Sequence, residues 1–212
     1  MRRRTEILNA AELVATEEGW DELTVVSVAR RARLSRALVY LNFSHRDDLL
    51  LGIRDRAIET LCRQMADAAA TDSTGQAKLQ AVMRAAEEFA DTQRVYFESL
   101  LRTEILSLER GPKSTGDFLG SKGEPCRRVL ARVIAIGLGD GSIRRDVGEP
   151  KVVAAILWRF VYGLLQLGAG KDAASNGRLR PLHSLFGQAV AMIGYSVTGS
   201  RASRPDTLVT TA

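Results

Sequence analysis

Residues 24–50 read TVVSVARRARLSRALVYLNFSHRDDLL, and the spacing of caps, small residues and arginines in this stretch decides the fold. Thr24 is a good N-cap for a short helix, Val25 to Arg31, whose inward positions are Val28 and Ala29. Ala32-Arg33-Leu34 is a brief turn. Ser35 caps a second helix that runs through Asn42, and Leu34 with Val39 is spaced for a hydrophobic staple across that start. Ser44 caps a third helix, with Asp47 as its reciprocal acid and an apolar stripe at Leu49, Leu50, Ile53, Ala57 and Leu61. Two short helices joined by a three-residue turn predict a helix-turn-helix, with Ala29 and Ala32 small where the helices cross. Helices this short are marginal alone and must be buried against neighbours.

The outward face of the second helix carries Arg36, Tyr40 and Asn42, and the first carries Arg30 and Arg31. The plain reading is an ordinary helical hairpin. An arginine-bearing face behind two capped helix starts is, however, what docking into a DNA major groove requires. Charge distribution alone is balanced between a solvated helix face and a polyanion site. The net charge of +5 over 212 residues is unremarkable. Leu23 to Arg46 nevertheless holds Arg30, Arg31, Arg33, Arg36 and Arg46 with no acidic residue, a stripe that suits a polyanion.

Working outward, Ile7, Leu8, Ala11, Val14 and Ala15 form one stripe at a helical period from Arg4 to the stop at Gly19. Downstream, Thr71 to Gln76 is a polar hinge. Helices are predicted at Ala77–Gln93, Val95–Arg110, Cys126–Leu138, Pro150–Gly170 (with Pro150 at the first helical position) and Pro181–Val197. Residues 111–125 read as a long loop and 199–212 as a disordered tail. Hydrophobic residues make up 45%, charged 26% and aromatic 6% of the chain, a composition that favours globular helix over sheet. The expected class is therefore all-α: an N-terminal three-helix helix-turn-helix domain, then a second helical domain. The expected division is 1–46, 47–198 and the tail, with helix 47–70 connecting the first two.

From Thr5 to about Leu61 the chain resembles the DNA-binding domain of the TetR (tetracycline repressor) family. The match runs through Ile7-Leu8-Asn9-Ala10-Ala11, Gly19-Trp20, Thr24-Val25-Val26-Ser27-Val28-Ala29, Leu34 to Phe43 and Ser44 to Leu50. Two positions depart from the pattern: Arg33 stands where the turn usually has glycine, and Asn42 where histidine is commoner. The resemblance implies that Thr24, Tyr40, Asn42 and Arg46 position phosphates and that Ser35, Arg36 and Ala37 read base edges. It implies a homodimer on palindromic double-stranded DNA. The interface would be built by the last two long helices, through Val152, Ile156, Phe160 and Leu167 on one and Leu182, Leu185, Phe186, Ala189 and Ile193 on the other. It also implies an effector pocket for an unknown small molecule. Candidate lining residues are Phe97, Leu101, Glu104, Phe118, Trp158 and Tyr162, each of which is also readable as plain core; Glu104 would suit a cationic or hydrogen-bonding ligand, although a plain surface glutamate is the commoner case.

Other classes fit poorly. Two cysteines, Cys62 and Cys126, cannot make a disulfide framework. Cys126 beside Arg127 and Arg128 is a candidate reactive thiol, although a plain buried cysteine is the commoner case. Two histidines leave few metal ligands. No phosphate loop, nucleophile elbow or His-Glu-x-x-His run is present, so neither catalytic residues nor a cofactor is expected. Val152–Ala169 is short for a membrane span, and Arg159 near its centre would cost roughly 2.5–3.5 kcal/mol. A cytoplasmic, non-membrane regulator, most simply a repressor, is the expectation. Its competitors are a constitutive DNA-binding protein without effector and a helical small-molecule-binding protein with an incidental basic face.

Overall fold

A computed structural model describes residues 2–110, 123–169 and 182–198; the loop around Phe118 and the tail 199–212 lie outside it. Every regular element among the described residues is helical: α1 (Arg2–Glu17), α2 (Val25–Ala32), α3 (Arg36–Tyr40), α4 (Arg46–Ala69), α5 (Gly75–Thr92), α6 (Arg94–Arg110), α7 (Glu124–Asp140), α8 (Pro150–Ala169) and α9 (Leu182–Thr198), with a 3-10 turn at Arg145–Val147. The chain forms two compact units, Met1–Gln64 with Glu88–Cys126 and Met65–Glu87 with Arg127–Ala212.

In the first unit, the α1 stripe Ile7, Leu8, Ala11, Val14 and Ala15 is buried throughout. It joins Trp20, Leu23, Val28, Ala29, Val39, Phe43, Leu49, Leu50 and Ile53 in one core, with Ala32 and Leu34 packed at its edge. Side chains from four successive helices thus bury one another, which is what lets the short α2 and α3 persist. After α1 the chain turns at Gly19, whose φ of 99° lies in the left-handed region where glycine carries no Cβ penalty.

The α4 start differs in detail from expectation. The reciprocal acid is Asp48, not Asp47: Asp48 Oδ2 accepts from the amides of Ser44 at 2.8 Å and His45 at 3.2 Å. The helix begins at Arg46, so Asp48 is its third residue, the position from which a carboxylate reaches back to the cap.

A further difference concerns the cysteines, which the sequence reading left unpaired. Cys62 of α4 and Cys126 in the first turn of α7 form a disulfide, with Cα atoms 4.9 Å apart.

In the second unit, Leu130, Val133, Ile134, Ile143, Val153, Ala154, Leu157, Trp158, Val161, Tyr162 and Val197 are buried. The α5 start meets the α7 end at close quarters: a Cβ on Gly75 would lie 2.2 Å from the Gly137 nitrogen. Asp140 Oδ2 accepts the Gly75 amide at 2.8 Å and Ser142 Oγ accepts the Gln76 amide at 3.0 Å. Hydrogen bonds from Ser142 and from the Gly75 amide hold the Asp140 carboxyl below its ordinary range.

Candidate nucleic-acid interface

Thr24 caps α2 as expected, through a capping box. Thr24 Oγ1 accepts the Ser27 amide and Ser27 Oγ accepts the Thr24 amide, both at 3.0 Å. Ser27 Oγ also donates to the Glu22 carbonyl at 2.5 Å. Serine stands here where a glutamate or glutamine is the usual signature, so the sequence concealed the box. α2 ends on Arg33, which adopts φ 56°, ψ 40° and directs its amide to the Ala29 and Arg30 carbonyls. This is the left-handed cap that glycine usually fills, here occupied by an exposed arginine.

Ser35 caps α3, its hydroxyl accepting the Leu38 amide at 3.2 Å. α3 is anchored by the wholly buried Val39, while Ser35, Arg36, Ala37 and Tyr40 are exposed. The helix ends at Tyr40, earlier than the pattern suggests. Leu41, expected inside a helix running to Asn42, lies beyond its observed end and stands 83% exposed beside Tyr40.

The remaining candidates are engaged within the fold. Asn42 Nδ2 donates to the Leu38 carbonyl at 2.9 Å, and the Asn42 carbonyl accepts Arg4 Nη1 at 3.1 Å. The Arg4 guanidinium also lies 4.2 Å from the centre of the Phe43 ring. Arg46 donates from Nε to the Leu23 carbonyl at 3.1 Å and from Nη2 to the Trp20 carbonyl at 2.9 Å. It therefore clamps the α1–α2 connection to the start of α4.

The basic stripe is likewise less uncompensated than its local sequence implies. Arg30 pairs with Glu18 at 2.9 Å and Arg31 with Glu17 at 2.6 Å. Both acids come from the end of α1, outside the stretch that looked free of negative charge. Arg33 and Arg36 remain as exposed cations on the turn and on α3. Such a face offers a guanidinium fork, two hydroxyls and a methyl on a helix narrow enough for a groove about 12 Å wide.

Elsewhere, Phe97 is buried and Leu101 half-buried one turn apart on α6, and Trp158 and Tyr162 are buried one turn apart on α8. The Glu104 side chain and Phe118 lie outside the described residues. Val152, Ile156 and Phe160 share an exposed apolar stripe on α8. On α9, Ile193, Gly194 and Val197 face Gln76, Leu79, Gln80 and Met83 of α5 across a small apolar cleft; among the described side chains of α9, Met192 and Tyr195 are the exposed large apolar ones. The side chains of Leu167, Leu182, Leu185, Phe186 and Ala189 lie outside the described residues. Among those described, no cluster of His, Cys, Asp and Glu could hold a metal ion and no helix is long and apolar enough to cross a membrane.

Residues 7–53 match the profile of the family described as bacterial regulatory proteins, tetR family. The HTH-type transcriptional regulator HbdR of Aromatoleum sp. (strain CIB) is 33% identical over 58 residues, which are 27% of this chain and 25% of HbdR. The chain thus matches about a quarter of that relative's length. The fold is shared far more widely than the sequence. A TetR/AcrR-family regulator from Thermobifida fusca YX-ER1 superposes with a TM-score of 0.67 at 17% identity, covering 92% of this chain and 97% of the other. SmeT in its triclosan complex gives 0.67 at 18% identity, covering 99% and 100%. Residues 7–53 thus carry a helix-turn-helix that matches the profile of the tetR family of bacterial regulatory proteins, on an all-helical fold shared with a TetR/AcrR-family regulator.

Proposed function

We propose that this chain is a ligand-responsive transcriptional regulator, most simply a repressor, that binds a palindromic operator as a homodimer and is released by a small-molecule effector. The observation that carries this reading is the α3 face. Ser35, Arg36, Ala37 and Tyr40 are exposed together on a helix whose opposite side, Val39, is fully buried. Ser35, Arg36 and Ala37 read base edges in this assignment, with Arg36 addressing guanine. Thr24 and Tyr40 contact phosphates. Asn42 and Arg46 hold the turn and the α4 start so that these contacts fall in register.

One such face is small, so two copies meeting two half-sites are required for useful affinity. The exposed α8 stripe of Val152, Ile156 and Phe160, with Met192 and Tyr195 of α9, supplies apolar surface for a second copy. Residues 1–46 are assigned to DNA and 47–198 to effector and partner. The effector candidates are Phe97, Leu101, Glu104, Phe118, Trp158 and Tyr162. That SmeT, of the same fold, is found with triclosan supports a small organic effector. Because α4 contributes residues to both units, a shift of α4 on effector binding would alter the spacing of the two recognition helices. A cytoplasmic location follows from this role.

The test is selection of bound sequences from random duplex DNA, followed by gel-shift titration across salt. A palindromic motif whose affinity falls steeply as salt rises is expected. Recovery of no motif, with weak binding indifferent to salt, would reject the reading.

A further inference from the structure

We infer that the Cys62–Cys126 disulfide is a reversible redox switch on DNA binding, an inference that rests on the regulator reading above. These are the chain's only two cysteines, so once the bond opens neither sulfur has another intrachain partner to exchange with. The bond joins α4 to the first turn of α7. Cys62 lies on α4, the helix that begins at Arg46 and whose first turn, through Arg46 and Asp48, organises the helix-turn-helix. Cys126 is the third residue of α7.

The two sulfurs are also unequal chemically. Cys62 is partly accessible while Cys126 is fully buried. An incoming low-molecular-weight thiolate therefore attacks the Cys62 sulfur. The S–S bond breaks, and Cys126 leaves as a thiolate at the positive end of the α7 dipole, a position that stabilises the departing anion. A second thiol then attacks the mixed disulfide at the exogenous sulfur, releasing Cys62 as its thiol and a low-molecular-weight disulfide. The reverse sequence, driven by that same disulfide, closes the bond. A protein acting on chromosomal DNA works where thiols are kept reduced, and disulfides formed there are typically transient and redox-sensing.

Opening the bond removes the covalent tie on α4 at Cys62 while its helix stays formed. The folded helix-turn-helix must then be fixed in its binding placement at the expense of DNA affinity, so the reduced form binds more weakly.

The experiment uses full-length protein equilibrated in buffers of defined glutathione to glutathione-disulfide ratio, with alkylation and mass measurement to count free thiols. Each sample is titrated against the duplex selected above, and far-ultraviolet circular dichroism monitors helix content. The expected result is a loss of at least about fivefold in affinity on reduction, the lower end of usual coupling between sites, tracking the thiol count. Cys62→Ala/Cys126→Ala should match the reduced protein in every buffer. Equal or tighter binding by the reduced protein at native helix content, or a double variant that still responds to the buffer, overturns the switch. So does loss of helix content on reduction, which would make the bond a structural brace. If no duplex is bound in either redox state, the DNA-binding reading itself has failed and the switch falls with it.

Discussion

The indole N–H of Trp20 donates to Glu98 Oε2 at 2.5 Å, fastening the α1–α2 connection to α6. Glu98 Oε1 accepts Arg94 Nε at 2.8 Å, and the Arg102 guanidinium lies 5.3 Å from the Trp20 ring centre. The same tryptophan receives Arg46 on its carbonyl. One residue in a connection thus gathers contacts from α4 and α6.

Glu98→Gln tests that junction. Burial alone would raise the Glu98 carboxyl, but hydrogen bonds from Arg94 and Trp20 and the nearby Arg94 and Arg102 charges outweigh it, so the group sits below its ordinary range. A carboxyl depressed in the folded state contributes stability that is present at neutral pH and lost as pH falls through and below the ordinary carboxylate range. The variant should be less stable at pH 7 by about 1–3 kcal/mol, or roughly 2–10 °C in Tm. That gap should narrow on acidification. Parallel stability–pH curves for the two proteins would contradict the assignment.

Arg46→Ala separates clamp from contact. Loss of two charge-assisted bonds to the Leu23 and Trp20 carbonyls should lower stability by about 1.5–3 kcal/mol, measured by urea denaturation. Arg36→Ala, on an exposed position, should leave stability within about 0.5 kcal/mol while changing base preference in selected sequences. Tyr40→Phe should weaken all sites alike. A stable Arg46→Ala protein would move that residue back to the phosphate contacts.

Arg33→Gly should stabilise the protein and weaken its grip on DNA. The left-handed backbone at Arg33 costs a residue with a Cβ about 1 kcal/mol relative to glycine. Removing the cation should lower the salt dependence of binding by about one ion. An unchanged salt slope would show that Arg33 lies away from the phosphates.

Ile156→Glu probes the α8 stripe, since Ile156 is 61% exposed and its replacement should leave the fold of the single chain intact. Where the stripe is the homodimer seam, a carboxylate buried there unpaired costs several kcal/mol, and sedimentation should show dissociation at least about tenfold easier. A variant that dimerises normally places the seam elsewhere.

The helices were legible because their determinants are local. The α1 stripe, the Thr24 and Ser35 caps and Pro150 at the start of α8 each act within a few residues, and the observed ends fall close to the expected ones. Details that depended on distant partners were not legible. Arg30 and Arg31 look uncompensated until α1 folds back and presents Glu18 and Glu17, although two adjacent glutamates at a helix end were a usable hint. Arg46 resembles a free cation until the Trp20 and Leu23 carbonyls are placed beside it. Asp48 takes the cap because α4 starts at Arg46, which makes it the third helical residue. Nothing in the spacing of Cys62 and Cys126, 64 residues apart, announces that they meet.

That pairing turns the middle of the polypeptide into a closed ring with two free arms. A single protease cut anywhere inside the ring would leave both fragments covalently attached. They would migrate as one species on a denaturing gel until a reductant was added, and only then separate into two bands.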